Sequence, residues 1–192
     1  MTAQDILDFW CLPQDHPDFG QQRAVWFRKD DAFDAAITER FGSLIRQAVA
    51  GGLREWDLQG PRGVLARILV LDQLTRNAWR GTPASFSGDA LALDAALQLV
   101  DSGADQALLP VQRVFAYLPL EHAEDTRMQA RSVALFDKLA QENAGFESVL
   151  DYAHRHRGVI ARFGRFPHRN PILGRASTAD EAEYLAQPGS GF

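Results

Sequence analysis

Between about Asp30 and Ala50 the apolar residues Phe33, Ile37, Phe41, Leu44, Ile45 and Val49 return every three or four positions, and Gly51 and Gly52 follow at once. That spacing gathers all six onto one face of an α-helix, and a glycine pair is where a helix stops. The same pattern recurs along the chain, and no stretch of alternating apolar and polar residues competes with it. A helix with one apolar face needs another helix to cover it, so the periodicity predicts an all-α fold of stacked helix pairs.

The punctuation sets the elements. Thr2 caps a first helix through Trp10, ended by Pro13, and Pro61 opens another through VLARILVLDQLTRNAW to about Trp79. Ser87 is the expected N-cap of DALALDAALQLV, with Gly103 just past its end, and a short helix around Val111 to Tyr117 stops at Pro119. Helices from about Asp125 to Asn143 and from about Glu147 to Phe163 follow, separated by Gly145. Thr178 and Glu181 form a capping box that opens a last helix ending near Pro188. About seven to nine helices result. No long polar linker interrupts them, so a single all-helical domain over 1–192 is expected.

A chain of 192 residues buries roughly 70% of its unfolded surface and needs no covalent staples. Its one cysteine, Cys11, has no intrachain partner, and no spaced Cys/His set of the zinc type occurs. No metal or cofactor is expected. The first residues, MTAQDILDFW, carry acids where a signal peptide carries positive charge, and no apolar run approaches the roughly 20 residues of a membrane helix. The expectation is a cytoplasmic protein with no membrane contact. A formal net charge of −5 argues against a general nucleic-acid binder, because binding phosphates favours a basic face.

The charge is uneven. Residues 151–175 hold six arginines against Asp151 alone, and RFGRFPHRNPILGR, from Arg162 to Arg175, contains four arginines, a histidine and two prolines with no acid. Pro167 breaks the preceding helix, and Pro171 pushes Asn170 towards extended geometry. The segment therefore reads as a loop anchored by Phe163, Phe166, Ile172 and Leu173, with Arg165, His168 and Arg169 turned towards acids at LEHAED or towards an anion.

Three further groups carry chemistry. Asp72 falls in the stripe of Leu65, Ile68, Leu69, Thr75 and Trp79, where a carboxylate needs a partner, and Arg76 lies one turn on. The pair reads as a structural ion pair, or, with Asn77 and Arg80, as one wall of a polar pocket. In LPLEHAED, Glu124 and Asp125 suit the start of the next helix, whereas Glu121 and His122 are left over as candidates for acid–base work. In YAHRHRG, His156 continues the line Val149, Ala153, Ile160 and turns inward, while His154 faces out.

The motifs ILDFW at 6–10, WFRKDDAFDAAITERF at 26–41, LDQLTRNAWRG at 71–81, YLPLEHAED at 117–125, YAHRHRGVIARFGRFPHRNPILGR at 152–175 and the closing STADEAEYL resemble, in order, an uncharacterised and mostly bacterial family of unknown function. Leu74 and Thr75 depart from that family's usual aromatic-then-proline. The resemblance implies a tetratricopeptide-like arrangement and no established activity. It also implies that Arg76, Asn77, Arg80, Glu121, His122, Arg165, His168, Arg169 and Asn170 meet in one place. The function expected is a helical scaffold binding a small anionic or zwitterionic ligand or peptide; the alternative is a hydrolase or lyase using Glu121 and His122.

Overall fold

Capping chemistry starts the first helix where the sequence places it. Thr2 Oγ1 accepts from the Asp5 N–H at 3.2 Å while the Asp5 carboxylate accepts from the Thr2 N–H at 2.7 Å, and α1 (Ala3–Cys11) follows. The computed structural model describes residues 1–191, which contain no strand. After α1 come α2 (Asp31–Val49, capped by Asp30), α3 (Pro61–Ile68), α4 (Thr75–Ala78) and α5 (Asp89–Asp101). Then follow α6 (Pro110–Glu121), α7 (Thr126–Glu142), α8 (Glu147–Phe163), α9 (Asn170–Leu173) and α10 (Ala179–Leu185, with the Thr178/Glu181 capping box). The fold class is all-α.

The described residues group into two compact units, one of residues 1–80 with 84–120, the other of 81–83 with 121 onward. In the first unit α3 runs through a π-helical turn, Leu69–Leu74, into α4 without a break. α1 and α5 pack on α3, and α2 packs on the π turn and α4. Every residue from Leu65 to Thr75 is consequently buried, on all sides and not on one stripe. The wide turn leaves a carbonyl five residues back for Thr75, whose hydroxyl donates to Val70 O at 2.8 Å. Gly88 lets α5 approach this turn, because a Cβ there would stand 2.1 Å from Leu71 O.

In the second unit α7 and α8 pack as a helical hairpin, and Val159, Ile160 and Phe166 form a core against which Phe163 and Tyr184 lean. Gly164, at φ 69°, ends α8 in the left-handed region.

Four local expectations are corrected. Pro119 does not stop its helix but lies inside α6, which runs on to Glu121, and the burial of Tyr117, Leu118 and Leu120 around it offsets the lost hydrogen bond. The residue before α5 is Gly88, and Ser87 instead donates its hydroxyl to Ala84 O at 2.6 Å. Asn170 is helical (φ −56°, ψ −50°) although Pro171 follows, because its side chain is held from three sides as described below. The loop at 162–175 is accordingly a 3-10 turn, Pro167–Arg169, followed by the single turn α9. Among the described residues no helix is long and apolar enough to cross a membrane.

Candidate functional site

The nine residues singled out from the sequence are distributed over both units. In the first, Arg76, Asn77 and Arg80 are each matched to an aspartate. Arg76 Nη1 donates to Asp72 Oδ1 at 2.8 Å and Arg76 Nη2 to Asp89 Oδ2 at 3.0 Å, with its Cζ 5.8 Å above the Phe86 ring. Asp72 is fully buried, and its other oxygen accepts from Gln73 Nε2 at 2.6 Å. The partner of Asn77 and Arg80 is Asp34 on α2, which accepts from Asn77 Nδ2 at 2.7 Å and from Arg80 Nε at 2.6 Å. Burial pushes the Asp34 carboxyl up, but the bonds from Arg80 and Asn77 outweigh it and the net shift is downward. These contacts tie α2, α4 and α5 together.

The other six lie in the second unit, where the arginine-rich segment closes on itself through two acids. Arg175 grips Glu124 in a fork, Nη1 to Oε2 at 2.7 Å and Nη2 to Oε1 at 2.9 Å, and the Phe166 N–H donates to the same Oε1 at 2.8 Å. Arg165 forks onto Glu181, Nε to Oε1 at 2.7 Å and Nη2 to Oε2 at 2.8 Å. Asn170 joins the two pairs: its Oδ1 accepts from Arg175 Nε at 2.9 Å, and its Nδ2 donates to Ser177 Oγ at 3.0 Å and Glu181 Oε2 at 3.3 Å. The Arg165 bonds and the Thr178 N–H hold the Glu181 carboxyl down to about 2. At Glu124 burial pushes upward, yet Arg175 and the Phe166 N–H carry the net shift down.

Arg165 is thus turned to Glu181 and not to LEHAED, because the capping box of α10 already presents that carboxylate. Glu124 is likewise not a capping acid. Asp125 alone caps α7, accepting from the N–H groups of Arg127 and Met128, while Glu124 serves Arg175.

Next to this clasp, His156, His168 and Arg169 gather about the Phe166 ring, and Glu121 and His122 stand against His156. Phe166 is fully buried, with His156 at 5.5 Å between centroids, His168 at 5.6 Å and Arg169 Cζ stacked 4.5 Å above it. Arg169 Nη2 donates to His122 O at 3.1 Å. What places Glu121 is the extension of α6 past Pro119, whose last turn is capped by Gln129 Nε2 donating to Glu121 O at 2.6 Å and Ala123 O at 2.9 Å.

Glu121 Oε1 stands 3.0 Å from Nδ1 of His156, and the same Nδ1 lies 2.9 Å from Tyr152 O. A backbone carbonyl only accepts, so Nδ1 carries the hydrogen and Nε2 keeps its lone pair. Burial first, and then His122, His168 and Arg169, lower His156 to about 3; burial first, and then Arg169, lower His168 to about 4. Both rings are neutral at pH 7. His156 was not among the sequence-chosen site residues, although its inward register was the signal for it. Among the described residues no group of three or more His, Cys, Asp or Glu side chains is arranged to hold a metal ion.

Comparison with known proteins supplies a family but no activity. No curated protein matches the chain significantly. A solved structure described as a protein of unknown function, ATU0120 from Agrobacterium tumefaciens, is similar at 41% sequence identity with a TM-score of 0.81, over 96% of each chain. Residues 6–189 match the family model of the bacterial proteins of unknown function called DUF924, and the chain belongs to that family.

Proposed function

We propose that the protein is a helical binding scaffold whose ligand, a small anionic or zwitterionic molecule or peptide, is recognised at the histidine-rich group about Phe166. One observation carries the reading: His156, His168 and Arg169 meet at the Phe166 ring from α8 and the 3-10 turn, and Glu121 and His122, from α6 and the turn after it, stand against His156. Stability alone does not favour that gathering, since well-packed apolar residues usually do as well as buried charges. Neutral imidazoles each offer one donor and one acceptor, and Arg169 adds a cation, which suits a ligand of mixed or negative charge.

In this reading Arg165, Arg175, Asn170 and Glu181 hold the segment in place, and Arg76, Asn77 and Arg80 serve the packing of the first unit. A reducing, cytoplasmic setting belongs to the same proposal. Cys11 is buried, and burial pushes its thiol up to about 12, so it is chemically quiet.

A thermal-shift screen of phosphorylated, carboxylated and amino-acid metabolites, with each hit confirmed by calorimetry, tests the proposal. His168→Ala and Arg169→Ala abolish the shift while Arg127→Ala, on an exposed turn, does not, and circular dichroism verifies that the variants fold. If no compound binds, or if all three variants behave alike, the reading fails.

A further inference from the structure

α8 presents two faces with different content. Its inner face, Ala153, His156 and Ile160, is buried. Its other side carries Arg155, Gly158, Arg162 and Phe163, with the buried core residue Val159 at their edge, and these line an open cleft of ≈ 310 Å³ closed on the far side by Tyr184 of α10. The cleft lies outside the histidine-rich group.

Three features make it more than a surface irregularity. Gly158 sits in the middle of a 17-residue helix, where glycine is among the least favourable residues. Nothing in the fold requires it: its φ is not positive, and a Cβ built there meets no atom within 4 Å. This contrasts with Gly88, whose Cβ would strike Leu71 O. The missing side chain instead leaves the floor of the cleft open, so that a body can lie against the helix backbone.

The walls are aromatic. Phe163 and Tyr184 pack with ring centroids 5.2 Å apart and both are only partly buried. The rim is cationic. Arg162 lies with its Cζ 4.7 Å over the Phe163 ring and, among the described residues, forms no ion pair. Arg155, two helical turns earlier, is paired to Asp151 at 2.6 Å, with both side chains largely in solvent. The first arginine is therefore the open charge and the second is already half answered.

We propose that this cleft is a binding site for a small amphipathic carboxylate, whose planar or branched apolar body rests on Gly158, Val159 and the aromatic walls while its carboxylate meets Arg162. Charge complementarity selects an anion, and the single unmatched arginine selects one carboxylate in preference to a polyanion. Burial raises the Tyr184 hydroxyl while Arg162 pulls the other way, which agrees with the phenol and the guanidinium facing the same space.

The test uses the full chain and three probes: 4-phenylbutyrate, its neutral counterpart 4-phenylbutanol, and acetate, followed by NMR titration. 4-Phenylbutyrate binds at least tenfold more tightly than either of the others, with shifts confined to α8 and α10. Arg162→Gln weakens it at least tenfold. Gly158→Ala raises the melting temperature and still weakens binding, which separates the cleft from any loss of fold. His168→Ala leaves the affinity unchanged; if it abolishes binding, the probe sits at the histidine-rich group and the cleft assignment is overturned. Equal binding of the alcohol, no binding of 4-phenylbutyrate at millimolar concentration, or indifference to Gly158→Ala and Arg162→Gln also overturns it.

Discussion

Acidification to pH 5 is expected to weaken the second unit before Glu124 and Glu181, both held below their ordinary values, are protonated. His156 and His168 are held neutral, lowered to about 3 and about 4 from 6.5 by burial and by the positive charge of Arg169, among other neighbours. The unfolded chain takes up a proton at each near pH 6.5, whereas the folded chain does not until its depressed value is reached. Between those limits the unfolded state binds more protons, so stability falls as pH falls. The slope is about 1.4 kcal/mol per pH unit per group, which gives about 2 kcal/mol for each histidine at pH 5 and about 4 kcal/mol for the two together. Glu124 and Glu181 are held below their ordinary values and therefore contribute stability that is lost only below about pH 4.5, outside this window. Urea denaturation at pH 7, 6 and 5, followed by amide exchange in α7 and α8, measures the slope. The double variant His156→Gln, His168→Asn flattens it, whatever it costs at pH 7. Imidazole resonances of His156 and His168 that titrate in the native protein near pH 6.5, or a stability constant from pH 7 to 5, would refute the reasoning.

Other substitutions separate the ties that hold each unit. Asp72→Ala removes one of the two carboxylates on Arg76 and the acceptor of Gln73, leaving Asp89, and is expected to cost about 1–3 kcal/mol in urea denaturation; a change below about 0.5 kcal/mol contradicts the pairing. Gly88→Ala forces a Cβ to 2.1 Å from Leu71 O and is expected to lose about 1–3 kcal/mol or more by thermal denaturation, with no loss counting against the close approach of α5 to the π turn. Arg175→Ala frees Glu124, Asn170 and the Phe166 carbonyl together, so amides from Phe166 to Arg175 exchange at least tenfold faster while those of α2 and α5 do not change. Uniform exchange across the chain would deny the clasp.

Much of the fold was legible because helix boundaries depend on local chemistry. Thr2, Asp125 and Thr178 each cap the helix that the sequence assigns to them, and Asp30 caps the helix whose periodicity begins there, since a side-chain oxygen accepts from an N–H only two or three residues on. The misjudged positions are those where packing overrules local preference. Pro119 sits within a helix whose neighbours are nearly all buried, and Asn170 stays helical before a proline because Arg175, Ser177 and Glu181 engage its amide. Nothing local marks the π turn either. Leu65 to Thr75 are buried on every side, and a residue inserted into such a helix shows no break in polarity.

The site was harder to read for a related reason: a list of charges does not say which will neutralise which. Four arginines without an acid look like a surface for an external anion, and the acids that answer two of them stand 16 residues ahead of Arg165 and 51 behind Arg175. Glu181 was visible as a capping-box residue, and a carboxylate committed to an N-terminus still has a face to offer; Glu124 was assigned to a cap that Asp125 fills. Once both pairs form, the segment's charge is largely spent inside the unit, and Arg162 and Arg169 are what remains to distinguish. Arg169 stacks on Phe166 among buried histidines and Arg162 stacks on Phe163 at an open cleft. The same residue type on the same kind of ring therefore occupies two settings, one interior and one exposed, and only the exposed one is accessible without rearrangement. If Arg162→Gln and Arg169→Gln abolish binding of the same ligand to the same degree, that division between an inner and an outer site is wrong.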